Sequence, residues 1–371
     1  MLKNIFVLIL LIISADAISQ SAYNNLQKAQ YYFNEKAQYD SSIHYASLVI
    51  KQDALNSTAY YIIASSNANL NEPNIALPYI HKAIDLNKTK CEYYDIRGYI
   101  YDNMEKFDSA MHDFNQALKM CPQSANAFFH RGSCLASQNK YKEAIEDYNK
   151  SIKYDPDYPH TYYNRARAYR KTGNNIKALE DYTKCISLNS KYADAYFNRA
   201  NIYDDQFKYD AALADLKIAA ALAPNDIDCF NNIYLIYSKK KKYDSALSCL
   251  DKIIEIDSNI EDVYLARAIT LTRLKRFEEA LSDIDKEIKK APHNITLLNK
   301  KGFILTEKED LKKAIEVYTL SINISPNAVA YYHRGRLYFK LKKKELASKD
   351  YNEAVKLDKY FKLPNLKYKN N

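Results

Sequence analysis

Tryptophan is absent, glycine occurs five times and proline nine times in these 371 residues. So few backbone breakers exclude long flexible linkers and low-complexity segments. After the first 20 residues no apolar run is long enough to span a bilayer, so the mature part is expected to be soluble. Catalytic signatures are missing as well: there is no GxSxG, no HExxH, no phosphate loop and no glycine-rich dinucleotide fingerprint. The six cysteines form no CxxC pair, and no two of the seven histidines have ligand spacing on one helix. Neither an enzyme, nor a metal, nor a cofactor is therefore expected.

What is abundant is tyrosine, 35 copies, and most of them fall on helical stripes. A tyrosine can bury its ring while its hydroxyl reaches water, which suits a thin two-layer structure. The net charge of +9 is local: residues 295–371 carry 17 Lys and Arg against 8 Asp and Glu, and everything before them is balanced. That segment reads as a solvated basic end, since it lacks the aromatic and glycine pattern of a nucleic-acid module. Residues 1–19 hold Lys3, an apolar run from Ile5 to Ile13, then small residues to Ala17 and Ser19, which reads as a secretory signal peptide. An exported, periplasmic or extracellular protein without a membrane anchor is expected.

The stretch from Ala125 to Tyr158 is 34 residues long, and shifted copies of it account for nearly all the rest. Phe128, Arg131, Gly132 and Leu135 stand at positions 4, 7, 8 and 11, one stripe of a helix. Tyr141, Ala144, Ile145 and Tyr148 at positions 17, 20, 21 and 24 make a second stripe, and Pro156 at 32 stops it. Copies start at Tyr23, Ser57, Cys91, Ala125, Pro159, Ala193, Ile227, Glu261, Ile295 and Ala328, giving ten repeats over 23–361 and a basic tail, 362–371. Position 20 is alanine in every repeat except the first, where it is Ser42, because a larger side chain would push the two helices apart.

This spacing resembles the tetratricopeptide repeat: a large residue at 4, a small one at 8, alanine at 20. The resemblance implies an all-α fold, a right-handed superhelical solenoid of helix-turn-helix repeats, and a non-catalytic protein-protein interaction scaffold. It also implies that positions 2, 5, 9, 12 and 13 of the first helices line a concave groove. Position 5 then gives Tyr61, Phe129, Tyr163, Phe197, Leu265 and Tyr332, interrupted by Asp95, Asn231 and Asn299. The candidate groove residues are Tyr163, Asn164, Arg167, Arg170, Lys171, Phe197, Asn198, Asn201, Asp204 and Asn232. Asn164, Asn198 and Asn232 form a ladder at position 6 suited to bonding the main chain of an extended peptide. The family's clamp for a C-terminal carboxylate needs a basic residue at position 5, which is aromatic here. Expected partners are peptides or assembly subunits; a carbohydrate or cell-wall ligand is the alternative that the tyrosines suggest.

Position 7 is arginine and position 23 aspartate together in six repeats: Arg97 with Asp113, Arg131 with Asp147, Arg165 with Asp181, Arg199 with Asp215, Arg267 with Asp283 and Arg334 with Asp350. In an antiparallel hairpin, positions summing to about 30 face each other. Six copies along one array are structural pairs that set register, not a catalytic constellation. The repeat from Ile227 breaks two rules, with Tyr234 at the small position and Ile233 opposite Cys249, and is the expected bend or partner contact. Its lysines, Lys239 to Lys242, read as a solvated loop. Cys91 with Cys121 and Cys229 with Cys249 are placed for disulfides, although lone buried cysteines also serve as small apolar residues. The last repeat lacks a polar covering helix, so that Leu363 and Leu366 fold back on it or another chain covers it, with self-association as one outcome.

Overall fold

A computed structural model describes residues 19–361; the tail and all of the expected signal segment except Ser19 lie outside them. The described residues form twenty helices and no strand, and no described helix is long and apolar enough to cross a membrane. The helices come in pairs. Repeat four is Ala125–Ser137 followed by Tyr141–Tyr154, and repeat five is Pro159–Lys171 followed by Asn175–Leu188. Two first helices depart from the register: that of repeat one covers 19–34, and that of repeat eight is Val263–Arg273, since Asp262 takes a left-handed conformation at φ 59°. The chain divides into two compact units, Met1–Ala195 and Tyr196–Asn371.

Every repeat turns the corner between its helices on a left-handed residue. Position 15 has positive φ in all ten: Ala37, Asn71, Glu105, Asn139, Gly173, Phe207, Lys241, Lys275, Glu309 and Lys342. In nine of them the next amide then reaches back to the carbonyl at position 11, as Lys106 N does to Tyr101 O at 2.9 Å and Lys140 N to Leu135 O at 2.9 Å; in the first, Gln38 N reaches Tyr32 O at position 10 instead. That bond satisfies a carbonyl orphaned at the helix end. Only repeat five uses glycine there. At the other end, second helices stop at position 30 and position 31 is extended, as in Asp155 before Pro156. Where proline is missing, the side chain at 31 accepts the amide two residues on: Asp53 from Leu55, Asn87 from Thr89, Asn189 from Lys191 and Asp257 from Asn259. The Asx turn is not confined to those four repeats: Asp358 accepts the Tyr360 amide, and Asp155 accepts the Asp157 amide beside Pro156.

The two helices of a hairpin meet at positions 8, 20 and 24. All nine position-20 alanines are at most 1% exposed. In the first repeat the Ser42 hydroxyl, equally buried, donates to Ala29 O at 2.9 Å. Position 8 is matched in size to position 24. A Cβ on Gly98 would come within 2.7 Å of the Phe114 ring, on Gly132 within 2.9 Å of Tyr148, and on Gly302 within 2.7 Å of Tyr318. Alanine at 8 faces the smaller Ile80, Leu216 and Ile284, with Ala166 opposite Tyr182 the one departure. In repeat seven Tyr234 packs with Phe230 against the cluster of Leu250, Ile253 and Val263.

All six arginine and aspartate pairs form, each bidentate. Arg131 donates Nε to Asp147 Oδ2 and Nη2 to Asp147 Oδ1, both at 2.7 Å, and the Asp147 side chain is 5% exposed. Arg131 Nη1 also donates to Asn115 Oδ1 in the preceding repeat at 2.6 Å. Arg165 reaches Asn149, Arg267 reaches Asp251 and Arg334 reaches Thr319 in the same way. Lys301, at position 7 of repeat nine, keeps this second bond alone, to Asp285. Position 7 therefore stitches neighbouring repeats as well as setting the hairpin. Tyrosines at positions 4 and 11 flank the guanidinium, as Tyr162 and Tyr169 do Arg165 at 5.7 and 5.8 Å, which accounts for part of the tyrosine excess.

Cys91 and Cys121 form a disulfide across repeat three, with Cα atoms 6.1 Å apart. Cys229 and Cys249 do not: both are buried thiols outside any disulfide, as are Cys134 and Cys185. Their positions, 3 and 23, sum to 26, a helical turn short of facing, and Cys249 is opposite Ile233 instead. The lysine run is not simply solvated either, because Lys239 pairs with Asp204 and Lys240 with Asp210.

Candidate functional site

The ten groove candidates fall in both units, five in each. In the unit ending at Ala195, Asn164, Arg167 and Lys171 come together, lining a cavity of about 260 Å³ with Ser133, Ala136 and Ser137 of the previous repeat. Positions 6, 9 and 13 of one first helix thus meet positions 9, 12 and 13 of its neighbour. Tyr148 forms its floor; its phenol donates to Ser133 Oγ at 3.2 Å, and burial pushes its pKa up to about 12. Arg167 lies over the Tyr163 ring at 5.7 Å. Arg170 is half-buried and is not among the residues lining the cavity.

Tyr163 belongs to a continuous string of rings. Phe129 meets Tyr158 at 5.4 Å, Tyr158 stacks on His160 at 4.9 Å, His160 meets Tyr192 at 5.2 Å, and Tyr192 meets Tyr163 at 4.9 Å. Burial raises the phenol pKa of Tyr158 and Tyr192 and lowers that of the His160 imidazole, so all three are neutral near pH 7. The sequence reading missed Tyr158 and Tyr192. Both stand at position 34, in the loop between repeats, and tyrosine occurs there in those two repeats alone.

Further toward the N-terminus the inner position 5 is Asp95, and the site is polar. His130 Nδ1 lies 2.9 Å from Asp95 Oδ1, with both side chains largely buried, at 20% and 7% exposure. Burial pulls the imidazole pKa down, but the charge and hydrogen bond of Asp95 and the charge of Asp102 outweigh it, and the net shift is upward. Cys134, one turn along from His130, is buried, and desolvation followed by Asp102 pushes its thiol up to about 12. A thiol held protonated is a packing group, not a nucleophile. Among the described residues no group of His, Cys, Asp and Glu could hold a metal ion.

In the unit starting at Tyr196 the expected asparagine ladder is partly consumed. Asn232 Nδ2 donates to Asn201 Oδ1 at 2.9 Å, a bond between adjacent first helices. Asp204 pairs with Lys239 Nζ at 2.8 Å. Phe197 and Asn198 are half-buried. The larger cavities of this unit lie further on, in repeats eight to ten. One of about 480 Å³ is floored by Leu265, Ala268, Phe303 and Ile304, and a second of about 540 Å³ shares Phe303 and His333 with it. Of the residues lining these cavities, Leu265, Asn299 and Tyr332 were named at position 5, and Ile269, Phe303 and Arg336 at position 9 and Arg273 at position 13 also stand where the resemblance places the groove. The excess of cations in residues 295–371 was the available signal.

A "Tetratricopeptide repeat" family model matches residues 159–192 and 328–361, and another of the same description matches 92–124, 193–226, 229–260 and 295–327. A "TPR repeat" model matches 132–173, so that together the matches span more than half of the chain. The chain belongs to the tetratricopeptide repeat family. This tetratricopeptide protein is similar in fold to chains of the APC/C hetero-tetramer Cut9-Hcn1, at 18% identity over 76% of this chain and 55% of that one, TM-score 0.52. It is likewise similar to pilF of Pseudomonas aeruginosa, at 15% identity over 57% of this chain and 94% of that one, TM-score 0.51. Neutrophil cytosol factor 2 of Mus musculus is 42% identical over 65 residues, 17% of this chain and 12% of that protein. The fold is that of a protein-protein interaction scaffold, and tetratricopeptide proteins are generally non-catalytic.

Proposed function

We propose that this tetratricopeptide protein is an exported scaffold that binds extended peptide segments of partner proteins, or subunits of an assembly, along the inner faces of its first helices. The observation that carries the reading is the ring string from Phe129 to Tyr163, next to a cavity flanked by Arg167 and Lys171. Rings and cations beside small serines offer apolar contact, charge and room for a main chain at once, the combination that peptide grooves use. Export is supported by the character of residues 1–19 and by the Cys91–Cys121 bond, since disulfides persist in oxidising compartments.

Peptide display on the full chain tests the reading. Peptides should be enriched, and a Tyr163→Ala, Arg167→Glu double variant with an unchanged circular dichroism melt should lose them. Equal enrichment on the variant, or none on either, contradicts it. The same ring string favours a second reading, stacking against sugar rings. Enrichment on a glycan array with no peptide selected would establish that reading instead. N-terminal sequencing of the protein from its native source should find the chain cut after Ala17 or Ser19.

A further inference from the structure

Repeats eight to ten combine three features on their inner face. The first is the apolar cavity of about 480 Å³, to which Ile269 and Val329 present partly exposed side chains. The second is a set of cations that form no ion pair among the described residues, although Glu307 and Glu309 also line the adjoining cavity, Glu309 being paired with Lys340. Arg273 and Lys300 line this cavity and Arg336 lines the adjoining one, and all three are exposed. By contrast, the interhelical arginines, Lys239 and Lys240 are paired. Burial followed by the charges of Arg336 and Lys300 lowers the pKa of His333 between them, as an electropositive field should.

The third feature is Asn299. Asn327 Oδ1 accepts the Ala330 amide at 2.9 Å as a helix cap, so it must present oxygen, and Asn299 turns its Nδ2 to it at 3.0 Å. That fixes the Asn299 amide. Its Oδ1 is buried at the cavity and has no hydrogen-bond partner. A buried acceptor left unpaired is unfavourable, and an incoming N–H would relieve it.

We infer that this cavity takes an apolar side chain of an extended, acidic partner segment, whose main-chain N–H meets Asn299 Oδ1 and whose carboxylates lie against Arg273, Lys300 and Arg336. The inference rests on the peptide reading above and gives that peptide its chemistry. An anionic amphiphile would satisfy the cations and the apolar floor but supplies no N–H for Asn299. The chain's own tail carries Lys362, Lys367 and Lys369, the wrong sign for this surface. First helices of successive repeats pack about 10 Å apart, so a strand crossing from Arg273 to Arg336 spans about 20 Å, or about six residues. Acidic residues should therefore stand about three residues to either side of the apolar one.

The test is fluorescence anisotropy on the full chain. The probe is a labelled, acetylated and amidated nine-residue peptide with a central leucine and a glutamate three residues to each side. Saturable binding should appear and weaken with salt. It should fall about tenfold with Lys300→Glu or Arg273→Glu, as attraction of about 0.7 kcal/mol becomes repulsion of the same size. Both residues are exposed, and unchanged thermal melts will show that the variants fold. Replacing the peptide's leucine by serine, or its glutamates by lysine, should abolish binding. A serine peptide that binds equally well, or a Lys300→Glu variant that binds as the wild type does, overturns the inference. So does sodium dodecanoate binding where every peptide fails. Display-selected peptides that depend on Tyr163 but ignore Lys300→Glu would sink this inference alone; no peptide binding anywhere would sink both.

Discussion

Replacing Arg131 by methionine removes one side of a buried ion pair and leaves Asp147 behind. That carboxylate is 5% exposed and loses two charge-assisted bonds of 2.7 Å. Breaking a buried pair from one side costs about 3–5 kcal/mol, because the remaining charge is desolvated without compensation. Lys150 Nζ, 4.0 Å from Asp147 and half-exposed, offsets part of this, while the lost bond to Asn115 adds about 1 kcal/mol. Arg131→Met should therefore destabilise repeat four by about 3–5 kcal/mol. The double variant Arg131→Ile, Asp147→Cys should behave differently. It copies repeat seven, where Ile233 and Cys249 occupy the same two positions at 5% and 8% exposure. No charge is left buried, and stability should lie within about 1 kcal/mol of the wild type. Because repeats open semi-independently, the readout is hydrogen exchange on peptides from repeat four alongside urea unfolding of the whole chain. A double variant as unstable as the single one would refute the reasoning, since the pair would then contribute net stability rather than register.

Gly173→Ala should cost about 1 kcal/mol although its Cβ would meet nothing within 4 Å, because φ of +81° is the only constraint there; urea midpoints check it. Alkylation of the unfolded chain should modify four cysteines before reduction and all six after it. Reduction should also lower the stability of repeat three by about 3–4 kcal/mol, for a closed loop of 30 residues. The His130 pKa is raised in the folded state, so its pairing contributes fully below the unfolded pKa of about 6.5 and is lost as pH rises through the folded value. Asp102, pushed up by burial and moderated by Cys134 and His130, acts in the same direction as pH rises through its own folded value. Urea midpoints from pH 6 to 9 should therefore fall more steeply for the wild type than for His130→Gln, and parallel slopes would contradict the assignment.

Helix pairing, the small positions and the interhelical pairs were readable because each is written in side-chain size or charge at a fixed spacing. The corner between the helices was not. Its left-handed residue is glycine only at Gly173, and Glu105, Lys275 or Phe207 carry no such mark. Proline stops were read, whereas the Asx turns at Asp53 and Asn189 were not, because a side-chain acceptor looks like any loop residue. Helical stripes mark the tyrosines as packing residues, and those flanking Arg165 and Arg199 also hold the guanidinium in place.

Legibility of the candidate site was lower. Asn164, Arg167 and Lys171 do meet in one cavity, because positions 6, 9 and 13 recur on one helical face. Asn232 and Asp204 were spent on Asn201 and Lys239, choices that depend on the neighbouring helix and not on the residue's own position. The cavity of repeats eight to ten was hidden because it is made by three first helices at once. Its charge was visible only as a surplus over the last 77 residues.

The central claim is that the inner faces of the first helices, and not the outer second helices, receive the partner. Site-specific photocrosslinking of display-selected peptides tests it directly, with benzoylphenylalanine placed at Tyr163, at Phe303, and at Ile176, which is 72% exposed on a second helix. Crosslinks at Tyr163 or Phe303 with none at Ile176 are predicted. Labelling at Ile176 that equals or exceeds the inner positions would contradict the claim.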